Sequence, residues 1–245
     1  MHEHASPRQA LEQMIRSGDL EGLLHQAEAF HGHRCPFLAL GVKAGQYALN
    51  YLQDHHHEHE HGHSHGHSHA PEEVVAVLEG INCFTDGIQA VTGCTLGNNG
   101  LIVKDLGKTA VTVARKRDGA AVRLAVRPDF REGMFARYPA AGPLFEKVMV
   151  QRQATAEERH RFQHLWEAIA RRELEVPLEE QFVVAKQTIR LPDTARKMET
   201  AVCSRCGEGV LAAKVKAQDG QNLCLACAGE GYYLLSGRGI DSFPK

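Results

Sequence analysis

The sequence predicts an α+β fold, with helices packed on a mostly antiparallel sheet and a small C-terminal unit organised by four cysteines. Three observations predict it. Apolar residues recur at helical spacing through the first fifty positions, β-rich runs separated by turn residues follow between residues 74 and 127, and two Cys-x-x-Cys pairs stand near the end. At 245 residues the chain is longer than one typical domain. We divide it into a main domain over 1–192, including a helical and strand extension over 129–192, and a four-cysteine ribbon and tail over 193–245. A hydrophobic share of 43% suffices for the main core.

Ser6-Pro7 opens a helical pattern in which Leu11, Met14 and Ile15 share a face, and Ser17-Gly18 breaks it. A second helix spans Asp19 to Phe30. Pro36 suits the first turn of a third, running from Cys35 to Leu52 with Leu38, Val42, Ala48, Leu49 and Leu52 at apolar spacing. Gly41 and Gly45 inside it cost roughly 1 kcal/mol each against alanine, and in exchange let another element pack close. From His55 to His69 nine of fifteen residues are histidine. No core forms from that composition, so residues 54–70 read as a disordered loop.

Strands follow at Val74–Ile81, Leu101–Leu106, Thr109–Arg115 and Ala121–Arg127, the last two joined by the hairpin signal Asp118-Gly119. Between the first two, Thr85 or Asp86 can cap a short helix through Val91, and the glycine-rich turn 93–100 returns to the sheet. The capping box Thr155-Ala-Glu-Glu158 opens a helix with Phe162, Leu165, Trp166 and Ile169 on one face. Glu180 to Leu191 reads as a further strand, and Pro192-Asp193 begins a linker.

The run Phe30-His-Gly-His-Arg-Cys-Pro36 puts three metal-capable side chains, His31, His33 and Cys35, within five positions. Cys35 reads as the N-cap of its helix, where the dipole favours the thiolate, the form that attacks electrophiles or binds metal. A second segment supplies Cys83, Asp86 and Cys94 among glycines. Cys83 and Cys94 flank one strand-helix-loop excursion, and their convergence on the Cys35 helix would make a pocket. The structural alternative is that the three cysteines are buried small hydrophobes and the histidines cap a turn.

His31-Gly-His-x-Cys-Pro36 with Gly41, then Cys83-x-x-Asp86-Gly-Ile-Gln and Thr92-Gly-Cys-Thr-x-Gly97, resembles the FmdE family, named for a component of formylmethanofuran dehydrogenase, over residues 10 to 130. The resemblance implies an α+β domain that forms homodimers and carries a metal in a His/Cys pocket. It also implies a glycine after Cys-Pro, where this chain has Phe37, which narrows the pocket.

Cys203-x-x-Cys206, seventeen residues, then Cys224-x-x-Cys227 gives four thiolates, which match the tetrahedral preference of zinc and close its shell. The site reads as structural zinc, with iron of the rubredoxin kind as the alternative. A ribbon of about 35 residues is too small to hold itself by apolar burial. It resembles the four-cysteine fingers of the TraR/DksA type, and Tyr232, Tyr233, Leu234 and Leu235 form an apolar tail.

His55, His56, His57, His59, His61, His63, His65, His67 and His69 read as a weak reservoir for zinc, nickel or copper. His160 and His164 lie four apart with Glu157 and Glu167 on one helix face; we read them as a solvated surface in preference to a metal site.

A formal charge of −2 gives no basic excess for broad nucleic-acid binding. No apolar run approaches the roughly 20 residues that span a bilayer, and Met-His-Glu-His lacks a leader's apolar stretch, so the expected location is the cytoplasm. Seven cysteines there are metal ligands or reactive thiols more readily than disulfides. Two function classes remain. In one, His31, His33, Cys35, Cys83, Asp86 and Cys94 hold a labile ion, Zn, Ni or Fe, in support of a metalloenzyme partner. In the other they form an enzyme site, with Cys35 as nucleophile and His33 and Asp86 assisting, or with Lewis-acid zinc. No four-cysteine iron-sulfur run of the ferredoxin kind and no dinucleotide fingerprint is present, so the chain alone offers no electron path.

Overall fold

The computed structural model describes residues 8–54, 73–192 and 199–244. The histidine-rich run 55–69 and Ser6-Pro7 lie outside the described residues. The chain divides into two units, Met1–Arg190 and Leu191–Lys245.

The first unit begins with α1 (Gln9–Ser17), which Gly18 ends in the left-handed conformation. Asp19 then caps α2 (Leu20–His31) by accepting the Gly22 N–H at 2.9 Å. Helix α3 (Pro36–Asp54) is buried along most of its length, as its glycine- and alanine-rich composition allows. Strand β1 (Val74–Leu78) is buried at all five residues, and Gly80 bends the chain before the expected end at Ile81.

Helix α4 (Cys83–Thr92) crosses from β1 to β2 (Leu101–Val103), so these two strands pair in parallel. The cap of α4 is Asn82, not Thr85 or Asp86: its side chain accepts the Phe84 N–H, and Thr85 completes a capping box. Strands β3 (Ala110–Arg115) and β4 (Ala120–Val126) form the expected hairpin. After α5 (Phe130–Arg137), α6 (Ala141–Phe145) and a π-turn over Glu146–Val150 comes α7 (Ala156–Glu175), opened by the Thr155/Glu158 capping box. The single turn α8 (Leu178–Gln181) shortens the last strand, so β5 is Phe182–Thr188. The sheet order is β2-β1-β3-β4-β5, antiparallel except at β1-β2. The fold is therefore the expected α+β arrangement of helices on a mostly antiparallel sheet.

Two contacts fix α3 in place. Against α4 the approach is backbone to backbone: a Cβ on Gly87 would lie 2.5 Å from the Leu38 carbonyl oxygen and 2.8 Å from the Gly41 Cα, and one on Gly41 would strike the Phe84 carbonyl. Gly45, one turn on, sits against Val91. On the α7 side, buried Lys43 donates to Gln181 Oε1 at 2.7 Å and to the carbonyls of Glu173 and Val176 at the helix's C-terminal end. Buried Glu173 is in turn held by Arg137 Nη2, at 2.8 and 2.9 Å from its two oxygens, and by Gln181. Burial lowers the Lys43 pKa to about 8, against the raising field of Glu173.

The second unit is built of β6 (Thr200–Val202) with β7 (Gly209–Leu211), β8 (Lys216–Gln218) with β9 (Gln221–Leu223), the short helix α9 (Leu225–Ala228), and the hairpin β10 (Tyr232–Ser236) with β11 (Gly239–Phe243). Tyr232 stacks on Phe243 with ring centroids 5.2 Å apart, and Tyr233 stays exposed. Among the described residues no helix is long and apolar enough to cross a membrane.

Gly87→Ala should force α3 and α4 apart. We expect a loss of roughly 1–3 kcal/mol in denaturant unfolding of the first unit. An unchanged midpoint would mean that the two backbones have room to separate without cost.

Candidate metal centre

Three helix ends meet at one place. His31 is the last residue of α2, where Gly32 (φ 94°) turns the chain outward. Cys35 stands immediately before α3, its Sγ accepting the Leu38 N–H at 3.4 Å, as an N-cap does. Cys83 is the first residue of α4. One metal-capable atom from each of His31, His33, Cys35 and Cys83 lies within 4.8 Å of the others. The Gly41–Gly87 approach brings the two cysteine-bearing helix starts together.

The loop between α2 and α3 is held by Arg34, a residue sequence reasoning passed over. Its buried guanidinium donates to Glu28 and to Glu21, both at 2.6 Å, and lies 3.3 Å from His25 Nδ1. The available signal was an arginine between two donor residues with acidic partners seven apart on the preceding helix. By drawing the loop onto α2, it sets where His33 and Cys35 project.

Asp86, one turn into α4, accepts from His31 Nδ1 at 2.7 Å and from Gln89 Nε2 at 3.1 Å. A carboxylate acceptor keeps the proton on Nδ1, so Nε2 carries the free lone pair. That Nε2 is buried and makes no well-formed hydrogen bond, and the Cys83 thiol is the neighbouring group that interacts with the ring, so an ion between them would satisfy both. The exposed His33 ring sits 4.4 Å from that of His31, centroid to centroid. Two nitrogens and two sulfurs suit tetrahedral zinc, and the carboxylate–histidine pairing is the usual way a metal-binding imidazole is oriented.

The two thiols share a proton. A hydrogen bond from Cys35, reinforced by His31 and His33, lowers Cys83 to about 6, while the same contact together with burial pushes Cys35 up. Cys35 keeps the N-cap contact expected of it, and the balance of burial and neighbours favours charge on its partner Cys83. Cys35 is 2% exposed and Cys83 is half-buried, so charge is better solvated at Cys83, which also has a helix N-terminus at hand.

Cys94 is not brought to the cluster. It follows shortly after α4's last residue, and ten helical residues separate its end from Cys83 by roughly 15 Å. It is fully buried, its Sγ 3.8 Å from the Val74 carbonyl, and burial raises its pKa. Phe37 does not close over the cluster. It packs edge-on to Phe130 with centroids 5.8 Å apart, in the wall of an open groove with Thr109, Arg127, Arg131 and Phe135. Thr109 Oγ accepts from the Asn82 side chain at 3.0 Å, next to Cys83, so groove and cluster adjoin.

In the second unit Cys203, Cys206, Cys224 and Cys227 likewise offer sulfurs within 4.8 Å of one another. Amide hydrogen bonds, those of Cys206 and Cys224 foremost, lower Cys203 to about 6, while a contact with Cys224 raises Cys227 to about 12. Proton competition at such a site makes metal binding pH-dependent and couples it to folding. Apart from these two clusters, no further group of three or more donors occurs among the described residues.

Comparison with known proteins shows the family of the first unit and the zinc-finger class of the second. Residues 30–183 match the family described as "FmdE, Molybdenum formylmethanofuran dehydrogenase operon", and residues 199–233 match "Prokaryotic dksA/traR C4-type zinc finger". A relative from Archaeoglobus fulgidus, described as a probable S-adenosyl-L-methionine-binding protein, is 40% identical over 224 residues. That match takes in 91% of this chain but 57% of the relative, so the chain spans little more than half its length. A crystal structure of an FmdE-like protein of the tungsten formylmethanofuran dehydrogenase type, from Syntrophus aciditrophicus, superposes with a TM-score of 0.50 at 20% identity. It covers 86% of this chain and 92% of that one, a likeness of fold.

Two outcomes follow from the sulfur chemistry. In metal-free protein Cys83 should alkylate faster than Cys35 or Cys94 and stay reactive down to about pH 6, because its lowered pKa leaves it thiolate above that value; peptide-resolved iodoacetamide rates giving Cys35 the lead would reverse the assignment. Cys203→Ser should release one tightly held zinc and leave the segment after Pro192 protease-sensitive while the first unit stays folded. Undiminished protection after zinc loss would mean the ribbon stands without its metal.

Proposed function

Because the chain belongs to the FmdE family and carries a four-cysteine zinc finger at its C-terminal end, we propose that it is a metal-handling protein whose working site is the His31/His33/Cys35/Cys83 cluster. The observation that carries this reading is the convergence of two imidazoles and two thiols within 4.8 Å of one another, with the His31 ring anchored at Nδ1 by Asp86.

The ligand assignment follows. His31, Cys35 and Cys83 form the inner, fixed part of the shell, and exposed His33 is the ligand that swings away to admit or release the ion. The donor set favours zinc, with nickel or iron also compatible. Asp86 acts through His31, fixing its ring and tautomer by the hydrogen bond at Nδ1. The homodimer implied by the family resemblance and a metalloenzyme client belong to the same reading.

The groove beside the cluster favours a second reading, an enzyme. An organic substrate lying along Phe37, Phe130 and Phe135 would reach the ion where His33 yields its position, and the ion would supply Lewis acidity. S-adenosylmethionine binding is stated of the Archaeoglobus relative, much of whose length lies outside the match, and it comes to this chain only as one candidate for that groove.

Elemental analysis decides the first reading. Protein prepared without an affinity tag and washed with a weak chelator should hold the finger's zinc and one further transition ion. Cys83→Ser should lose the second ion and keep the first, Cys94→Ser should keep both, and Asp86→Asn should weaken the second roughly 10- to 100-fold. Equal metal content in wild type and Cys83→Ser would sink the assignment.

A further inference from the structure

Outside both cysteine sites, α7 carries a feature that sequence alone presents as a solvated face. His160 and His164, one turn apart and both exposed, aim their Nε2 atoms at each other at 3.1 Å, with ring centroids 4.3 Å apart. Two solvated imidazoles gain little by holding each other in this way, since water satisfies either ring as well. The separation is, however, that of two neighbouring ligands on one ion. With metal–nitrogen bonds of roughly 2.0–2.1 Å, ligands at right angles sit about 2.9 Å apart and tetrahedral ones about 3.3 Å.

We propose that His160 and His164 form a two-imidazole chelate for a late first-row divalent cation, independent of the cluster at His31. The helix holds the pair in register. Its first turn is closed by the Thr155/Glu158 box, and its opposite face is pinned in the core by Phe162, Trp166 and Ile169. Binding therefore costs only side-chain freedom at two residues, not the ordering of backbone. Two protein ligands leave the remaining coordination positions to water, so the ion exchanges quickly and a partner's side chains can complete the shell. Glu157 and Glu167, three residues outward from each histidine, continue the same stripe. Neither glutamate lies close enough to make a third donor with the two imidazoles, and Glu167 is engaged by Gln163 at 3.0 Å, so the histidines alone form the chelate. Imidazole nitrogen selects copper, nickel and zinc over calcium or magnesium.

The test uses the full-length protein and Ni²⁺ at buffered free concentrations, with carbethoxylation of each histidine read on its own proteolytic peptide. Coordination removes the lone pair that the reagent attacks. Ni²⁺ should protect His160 and His164 together, at one common half-protecting concentration. In His160→Ala the concentration needed to protect His164 should rise by roughly tenfold or more, because the second ligand no longer binds at high effective concentration. Both positions are exposed, so the substitution leaves the fold intact. Protection of His164 at the same Ni²⁺ concentration with or without His160, or no protection of either, would overturn the chelate. Protection of peptides carrying His31 and His33 reports on the cluster separately, so the two assignments stand or fall apart from each other.

Discussion

The contact on which the cluster depends contains no metal-binding residue. Gly41 and Gly87 let α3 and α4 touch through their backbones, and only at that distance do the starts of the two helices bring Cys35 and Cys83 together. The register matters as much as the distance. Gly41 lies six residues after Cys35 and Gly87 four after Cys83, so each thiol stands one to two turns from the point of closest approach. Any side chain at either glycine would widen the helix starts. The cost of glycine in two helix interiors, roughly 1 kcal/mol each, is thus offset by burial along α3 and put to use in donor placement.

Around that contact the electrostatics are arranged in layers. Asp86 and Cys83 share a face of α4 at a spacing of three, so the residue that orients His31 and the thiolate beside it move as one body. Arg34 does the corresponding work for the loop carrying His33, against Glu21 and Glu28. Lys43, farther along α3, ties the same helix to the end of α7 through carbonyls rather than through a carboxylate. The cluster is therefore held from three helices, and its donors need little rearrangement to accept an ion.

Sequence sufficed where donors are contiguous and failed where distance along a helix decides. His31, His33 and Cys35 are within five positions, so their proximity needed no fold. Cys83 was legible because strand and helix signals flank it. Cys94 shared those signals, but a ten-residue helix intervenes and carries it to the far end, where it became core. Asn82 was missed as the cap because its box partner is Thr85 in place of the Glu or Gln that marks the common pattern. Helices α5 and α6 gave no signal, being short and interrupted by Gly133, Gly142 and Pro143. Which of the two sulfurs carries charge more readily is beyond sequence altogether, because it depends on their relative solvation in the fold.

The metal-capable sites differ in what must be ordered before an ion can bind, and this orders their exchange. In the finger, four thiols come from knuckles too small to persist alone, so binding and folding are one event and release requires unfolding. At the His31 cluster the scaffold exists beforehand, three donors are shielded, and the fourth, His33, faces solvent. On the reading proposed above, release there would require the motion of one side chain. A site built in this way can hold an ion tightly between exchanges and still give it up to an acceptor that approaches from the His33 side, which is the property that separates a handling site from a structural one.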